Sequence, residues 1–220
     1  MKTSIIRKVL MALSGLFLIV FLLQHFTINS LSVFSPDAFN EVSHFMGTNT
    51  IIQYVMQPVL IFGVIFHLVM GMYLEAKNRG ARPQKYAYNK AGASASWMSR
   101  NMIITGIMVM LFLGLHFYDF WFPEIKIKFI DGDWSGMENG AFRYWEHTHH
   151  KFVDPVRVGL YCAAFIFLAL HLLHGFQSAF QSMGWRHPKY TPIIKKLGYA
   201  YAIIIPLGFI FIALYHHLTH

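Results

Sequence analysis

Polar and charged residues are bunched along this chain, and between the bunches run charge-poor apolar stretches of about 20 residues. That is the length a helix needs to cross roughly 30 Å of hydrocarbon. Five such stretches stand at about residues 9–33, 51–74, 102–122, 158–180 and 197–218. The apolar positions form long runs rather than recurring at the spacing of a half-buried soluble helix, so the pattern predicts an all-α integral membrane protein, a five-transmembrane-helix bundle. Asp119 is the one acid inside these limits. It falls near the end of the third stretch among Phe117, Tyr118, Phe120, Trp121 and Phe122, a membrane–water interface composition. Pro58 and Pro206 are positions at which a helix can kink.

Composition agrees: of 220 residues, 55% are hydrophobic and 13% charged, with mean hydropathy +0.44, against about 25% charged in soluble domains. The single cysteine, Cys162, leaves no disulfide framework or thiolate metal site within the chain. A net charge of +8 could suggest nucleic acid, but the basic residues flank the apolar runs instead. Thirteen of the 18 Lys and Arg lie at the N-terminus, between spans two and three (Lys77 to Arg100), or between spans four and five (Arg186 to Lys196). The alternate loops carry most of the acids. The positive-inside rule therefore predicts a cytoplasmic N-terminus and an outer C-terminus. The first segment follows Lys2, Arg7 and Lys8, but its run is long for a signal sequence and no A-x-A-like site follows, so a retained helix is expected. Residues 1–220 read as one domain without internal repeat, with an outer cap loop at about 123–157 containing Gly132, Gly136 and Gly140.

The distinctive chemistry is histidine inside hydrocarbon. His25, His67, His116 and either His171 or His174 place one imidazole in each of the first four spans, where ionisable groups are costly and functional by default. At a rise of about 1.5 Å per residue, His25 and His116 lie roughly 24 and 21 Å from the inner ends of their helices, in the outer half. Spans two and four run the other way, and their histidines lie roughly 20 Å or more from the outer surface, in the inner half. Two imidazoles approaching one level from different helices suit bis-axial ligation of haem iron, and two levels suit two haems. Gly63, Gly71, Gly114 and Gly175 nearby could admit a macrocycle edge or simply close helix packing. Zinc fits less well, because the histidines are split between two depths. His171 and His174 are roughly 60° apart around their helix, so spacing leaves both open as ligand.

These residues resemble a known family: the single-chain, five-helix, di-haem cytochrome b subunit of succinate:quinone oxidoreductases, the succinate dehydrogenases and fumarate reductases. The resemblance covers nearly the whole chain. It rests on S-G-L-F-L-I-V-F-L-L-Q-H-F around His25, F-H-L-V-M-G-M-Y around His67, S-R-N-M-I-I-T-G before His116, and H-L-L-H-G-F-Q-S-A-F-Q-S-M-G from His171. It implies His171 as the fourth ligand, an inner haem b held by His67 and His171, and an outer haem b held by His25 and His116. It also implies a flavoprotein subunit with FAD, an iron–sulfur subunit with its clusters, a quinone substrate (menaquinone), and a multi-pass location in the bacterial cytoplasmic membrane. Dicarboxylate chemistry would occur on the flavoprotein. The outer loop is longer than the family pattern.

Haem propionates need cationic or hydroxyl partners, for which Ser14, Ser99, Arg100, Gln177, Ser178 and Lys195 are inner candidates and Arg157 an outer one. Glu41 and His44 are candidate acid/base groups for a quinone near the outer surface. Glu146, His147, His149 and His150, and His216, His217 and His220, are expected to be solvent-facing. Competing readings are the cytochrome b anchor of a hydrogenase or formate dehydrogenase, and a transporter with a histidine relay.

Overall fold

The computed structural model describes residues 2–80, 101–185 and 187–219. Ser99, Arg100, Arg186, His220 and the basic stretch from Arg82 to Lys90 lie outside the described residues.

The chain folds as helices α1 (Lys2–Phe34), α2 (Pro36–Thr48), α3 (Ile52–Gly80), α4 (Met102–Ile130), α5 (Tyr144–Lys151), α6 (Pro155–Ser182) and α7 (Thr191–Leu218). Of these, α1, α3, α4, α6 and α7 are long and apolar enough to cross a membrane, which makes this a multi-pass membrane protein. The boundaries follow local chemistry. At α2, Ser35 Oγ accepts the Ala38 amide at 3.2 Å, Pro36 fills the first turn, and Asp37 meets the positive end of the helix dipole. At α6, Asp154 Oδ1 accepts from Val156 N at 2.9 Å and Pro155 follows.

The third span runs eight residues past its expected end at Phe122. Lys126 and Lys128 read as loop in the sequence, yet the helix continues through two π-helical turns, Phe117–Trp121 and Lys126–Ile130. Pro123 sits in the first turn after a π segment, and Lys128 is buried against Glu124 one turn back, at 3.0 Å. The irregular cap is correspondingly shorter. It holds a two-stranded hairpin, Met137–Glu138 with Ala141–Phe142. Asn139 and Gly140 make its turn at φ 53° and 84°, the left-handed pair a two-residue hairpin loop requires.

Packing is tightest between α6 and α7, while α1 touches α2, α3, α6 and α7, and α4 lies on α6 and α3. A buried cluster at the capped end joins Tyr161 and Phe165 of α6 to Phe209, Ile212 and Ala213 of α7. The opposite surfaces are apolar and exposed, with Val20, Phe62, Leu111, Ile204 and Phe211 facing outward. That is a surface matched to lipid rather than water.

Candidate functional site

Four histidines meet as two pairs at two levels of the bundle. Toward the end carrying the N-terminus, His67 of α3 faces His171 of α6, with ring centroids 6.4 Å apart and planes at 75°. Toward the capped end, His25 of α1 faces His116 of α4 at 5.7 Å and 83°. His67 thus shares a level with His171, and His25 with His116. His174 lies three residues beyond His171 and is half-buried, but no pair of this kind includes it.

The two levels have different surroundings. Ser14 Oγ donates to the Met11 carbonyl at 2.9 Å and stands 3.0 Å from His67 Nδ1. Thr105 Oγ1 donates to the Met102 carbonyl at 2.9 Å and stands 3.3 Å from His171 Nδ1. Gly15 and Gly106 let the ring edges lie against backbone: a Cβ there would sit 3.4 Å from His67 Cε1 and 3.6 Å from His171 Cε1. At the other level the partners are aromatic. Phe21 stacks on His25 at 5.5 Å, Phe112 stacks on His116 at 5.8 Å, and His116 Nδ1 is buried without a hydrogen bond.

These parallels expose an internal repeat where the hydropathy pattern shows none. Met11, Ser14, Gly15, Phe21 and His25 have the same spacing as Met102, Thr105, Gly106, Phe112 and His116: M-x2-[ST]-G-x5-F-x3-H. Their partner helices carry H-L-x2-G at His67 and at His171. Gly71 faces the Met11 methyl and Gly175 the Met102 methyl, at 3.4 and 3.7 Å from a built Cβ. The register matches His171, not His174, to His67. Degenerate letters and an intervening length that differs between the halves hid this signal.

The other expected residues are placed as follows. Gly63 lies against Phe17, where a Cβ would come to 2.7 Å, so it serves helix packing, whereas Gly114 faces open space. Gln177 lines a small cleft with Gln181, Trp185, Thr191 and Lys195 near the N-terminal end of the bundle. Lys195 is exposed and Ser178 half-buried. Arg157 Nε is 3.2 Å from Asp119 Oδ2, which also accepts from the Tyr161 hydroxyl at 2.9 Å. Asp119 is thus an interior carboxylate rather than an interfacial one, fully shielded because α4 continues past it.

At the cap, Glu41 is exposed while His44 is held. Phe142 stacks on His44 at 4.6 Å, and the Tyr144 hydroxyl is 3.4 Å from its Nδ1. Gly136, at φ 67°, allows this meeting, since a side chain there would strike both groups. Behind Tyr144, Glu124 takes a two-point bond from Arg143, both contacts 3.1 Å, and the buried Lys128. Burial, with Glu124 adding to it, pushes the Tyr144 phenol up to about 12.

The expectation that the remaining histidines face solvent holds for His150 but fails for His216, which is wholly buried. Its Nε2 donates to Ser32 Oγ at 2.9 Å, and its Nδ1 lies 3.2 Å from His149 Nδ1. The cause is docking of α5 on the bundle: Trp145 Nε1 donates to the Ser32 carbonyl at 2.8 Å and its ring stacks on His149. His147 pairs with Glu138 at 2.8 Å, and His217 Nδ1 donates to the Phe152 carbonyl at 2.9 Å.

Fold and site together define a multi-pass helical membrane protein organised around two stacked histidine pairs. The chain is similar to the succinate dehydrogenase cytochrome b558 subunit of Bacillus subtilis (strain 168), at 25% identity over 162 residues that cover 72% of this chain and 69% of that protein. This likeness supports a place among cytochrome b membrane anchors. No protein-family model and no solved structure matches the chain.

Proposed function

We propose that this chain is the membrane-anchor cytochrome b subunit of a succinate:quinone oxidoreductase. In this reading it carries electrons between an iron–sulfur subunit and a membrane quinone through two bis-histidine haems b. The observation that carries it is the pair of histidine pairs in a chain similar to a succinate dehydrogenase cytochrome b subunit. The donor set fits the group. A metal–nitrogen bond of about 2 Å on each side of one ion puts two imidazole centroids about 6 Å apart, and the pairs stand at 5.7 and 6.4 Å. Among the described residues no three His, Cys, Asp or Glu side chains converge. Two imidazoles per level would suit a group that brings its other ligands with it, as haem does.

His67 and His171 would hold the haem nearer the N-terminal end, and His25 and His116 the one nearer the cap. When bound, such haems would supply one-electron transfer rather than oxygen chemistry. Gly15, which lies against His67, and His25 are ten residues apart on α1, which sets the two levels about 15 Å apart, and Phe21, Phe112, Phe120 and Phe209 pack around the capped pair. The basic end faces the cytoplasm, in the bacterial inner membrane, where the iron–sulfur subunit and the FAD-bearing flavoprotein dock. Menaquinone reacts near the capped end. Of the two groups expected to serve it, His44 is the stronger: Tyr144, protonated at every physiological pH, stands beside it as a donor, while Glu41 is exposed to solvent.

The test is a reduced-minus-oxidised spectrum of the purified complex with haem quantified per chain, repeated for His67→Ala and His171→Ala. Two low-spin b haems per chain are expected in the wild type, and one in each variant. Wild-type protein without haem, or variants that keep both at full stoichiometry, would refute the assignment.

A further inference from the structure

The deeper level of the bundle carries a device that this reading of the histidines does not by itself require. Ser14 and Thr105 are both buried and both one residue before a glycine. They sit on different helices, and each touches Nδ1 of the histidine opposite. A serine or threonine hydroxyl has one proton and two acceptor positions. Each of these protons already goes to the carbonyl three residues back, Met11 for Ser14 and Met102 for Thr105. The oxygen left facing the imidazole can only accept. Nδ1 must therefore carry the ring proton, and in a neutral imidazole that leaves Nε2 as the lone pair.

We infer that Ser14 and Thr105 are paired positioning residues, each fixing its histidine, His67 and His171, as the Nδ1–H tautomer and so presenting Nε2 to a metal. The inference rests on the haem reading above and adds the tautomer, the residues that set it, and a difference between the levels. The glycines complete the device: at Gly15 and Gly106, next to the hydroxyl residues, the missing side chain lets the Nδ1–Cε1 edge of each ring come close to the helix that bears its hydrogen-bond partner. Among the described residues no such hydroxyl meets the histidines of the capped level: His116 Nδ1 has no hydrogen-bond partner there, and the His25 ring nitrogens lie 3.4 Å from Asn29 Nδ2, a donor. An Nδ1–H that donates makes the opposite nitrogen more basic, and a more basic ligand favours the oxidised, more positive iron. The two levels are thus tuned by different means although the histidines repeat.

The experiment uses the whole complex in detergent, with Ser14→Ala and Thr105→Val beside the conservative Ser14→Thr and Thr105→Ser. Haem per chain, the midpoint of each haem and the low-temperature EPR g values are read. The deletions are expected to move the redox equilibrium of one haem several-fold toward the reduced form, each tenfold being about 59 mV for one electron. Its g values shift, the other haem stays at its wild-type midpoint, and the conservative variants restore both readings. Affinity for the affected haem is expected to fall about 10- to 100-fold, as for other lost supporting contacts. Unchanged midpoints and g values in both deletions overturn the inference, as does haem loss that the conservative variants fail to rescue. If wild-type protein holds no haem, it is the functional reading that fails, and the haem count reports this separately.

Discussion

Asp119→Ala is expected to be among the more damaging single changes outside the histidine pairs, and its cost can be built from its contacts. The carboxylate is fully shielded, with Arg157 Nε at 3.2 Å, Lys151 Nζ at 4.0 Å and the Tyr161 hydroxyl at 2.9 Å. The two cations keep 27% and 31% of their side-chain surface in the open. Losing their partner leaves them within reach of water, so the ionic part is about 1 kcal/mol rather than the 3–5 of a sealed pair. Tyr161 has no such outlet, being 2% exposed, and its hydroxyl is left without an acceptor at a cost of about 1–3 kcal/mol. The total is about 2–4 kcal/mol. Asp119→Asn keeps an acceptor for the phenol and should cost about half as much. Tyr161→Phe should cost about 1 kcal/mol. In Asp119→Ala/Tyr161→Phe no orphan hydroxyl remains, so the double variant should be more stable than the sum of the singles by about 1–2 kcal/mol. Reversible denaturant titration in detergent, followed by far-ultraviolet circular dichroism, measures all four proteins. Additivity within about 0.5 kcal/mol would refute the claim that the carboxylate's main task is to satisfy a buried phenol.

Two further outcomes follow from close contacts and from charge. Gly63→Ala should lower stability by about 1–3 kcal/mol because its Cβ would come to 2.7 Å from Phe17, whereas Gly114→Ala, facing open space, should be neutral or stabilising; equal melting temperatures for the two would contradict the packing. The Tyr144 phenol, raised by burial to about 12 from an ordinary value near 10, contributes stability that is fully present below about pH 10 and is lost as pH rises toward 12; alkaline melting curves of wild type and Tyr144→Phe should therefore converge in that window, and parallel curves would show the phenol is not linked to folding.

Much of this arrangement is written in the chain at low resolution. Runs free of charge mark the five spans, and the rise of a helix is enough to put His25 and His116 at one level and His67 with His171 or His174 at another. What the pattern hides depends on neighbours distant in sequence. Asp119 resembles an interfacial acid until α4 is seen to continue past it, which needs Lys128 to fold back on Glu124. His216 resembles a ragged terminus until α5 docks over it through Trp145. Ser14 reads as a candidate propionate partner, and Thr105 as an ordinary small polar residue of a membrane helix. Only their place opposite a histidine, with the hydroxyl proton already bound, shows their use, and the repeat that could have flagged them is five letters spread over fifteen positions.

That repeat divides the chain in an unexpected way. One half is α1 with α3, the other α4 with α6, and each owns one histidine at each level. Neither level is completed within a half: His67 meets His171 and His25 meets His116 only across the seam between them. The hydroxyls follow the opposite rule, Ser14 supporting His67 within the first half and Thr105 supporting His171 within the second. Each half is therefore prepared on its own, its deeper ring already oriented, but forms no histidine pair until the other is in register. Assembly of the seam is the event that creates both pairs together, and any slip of one half against the other would break both at once.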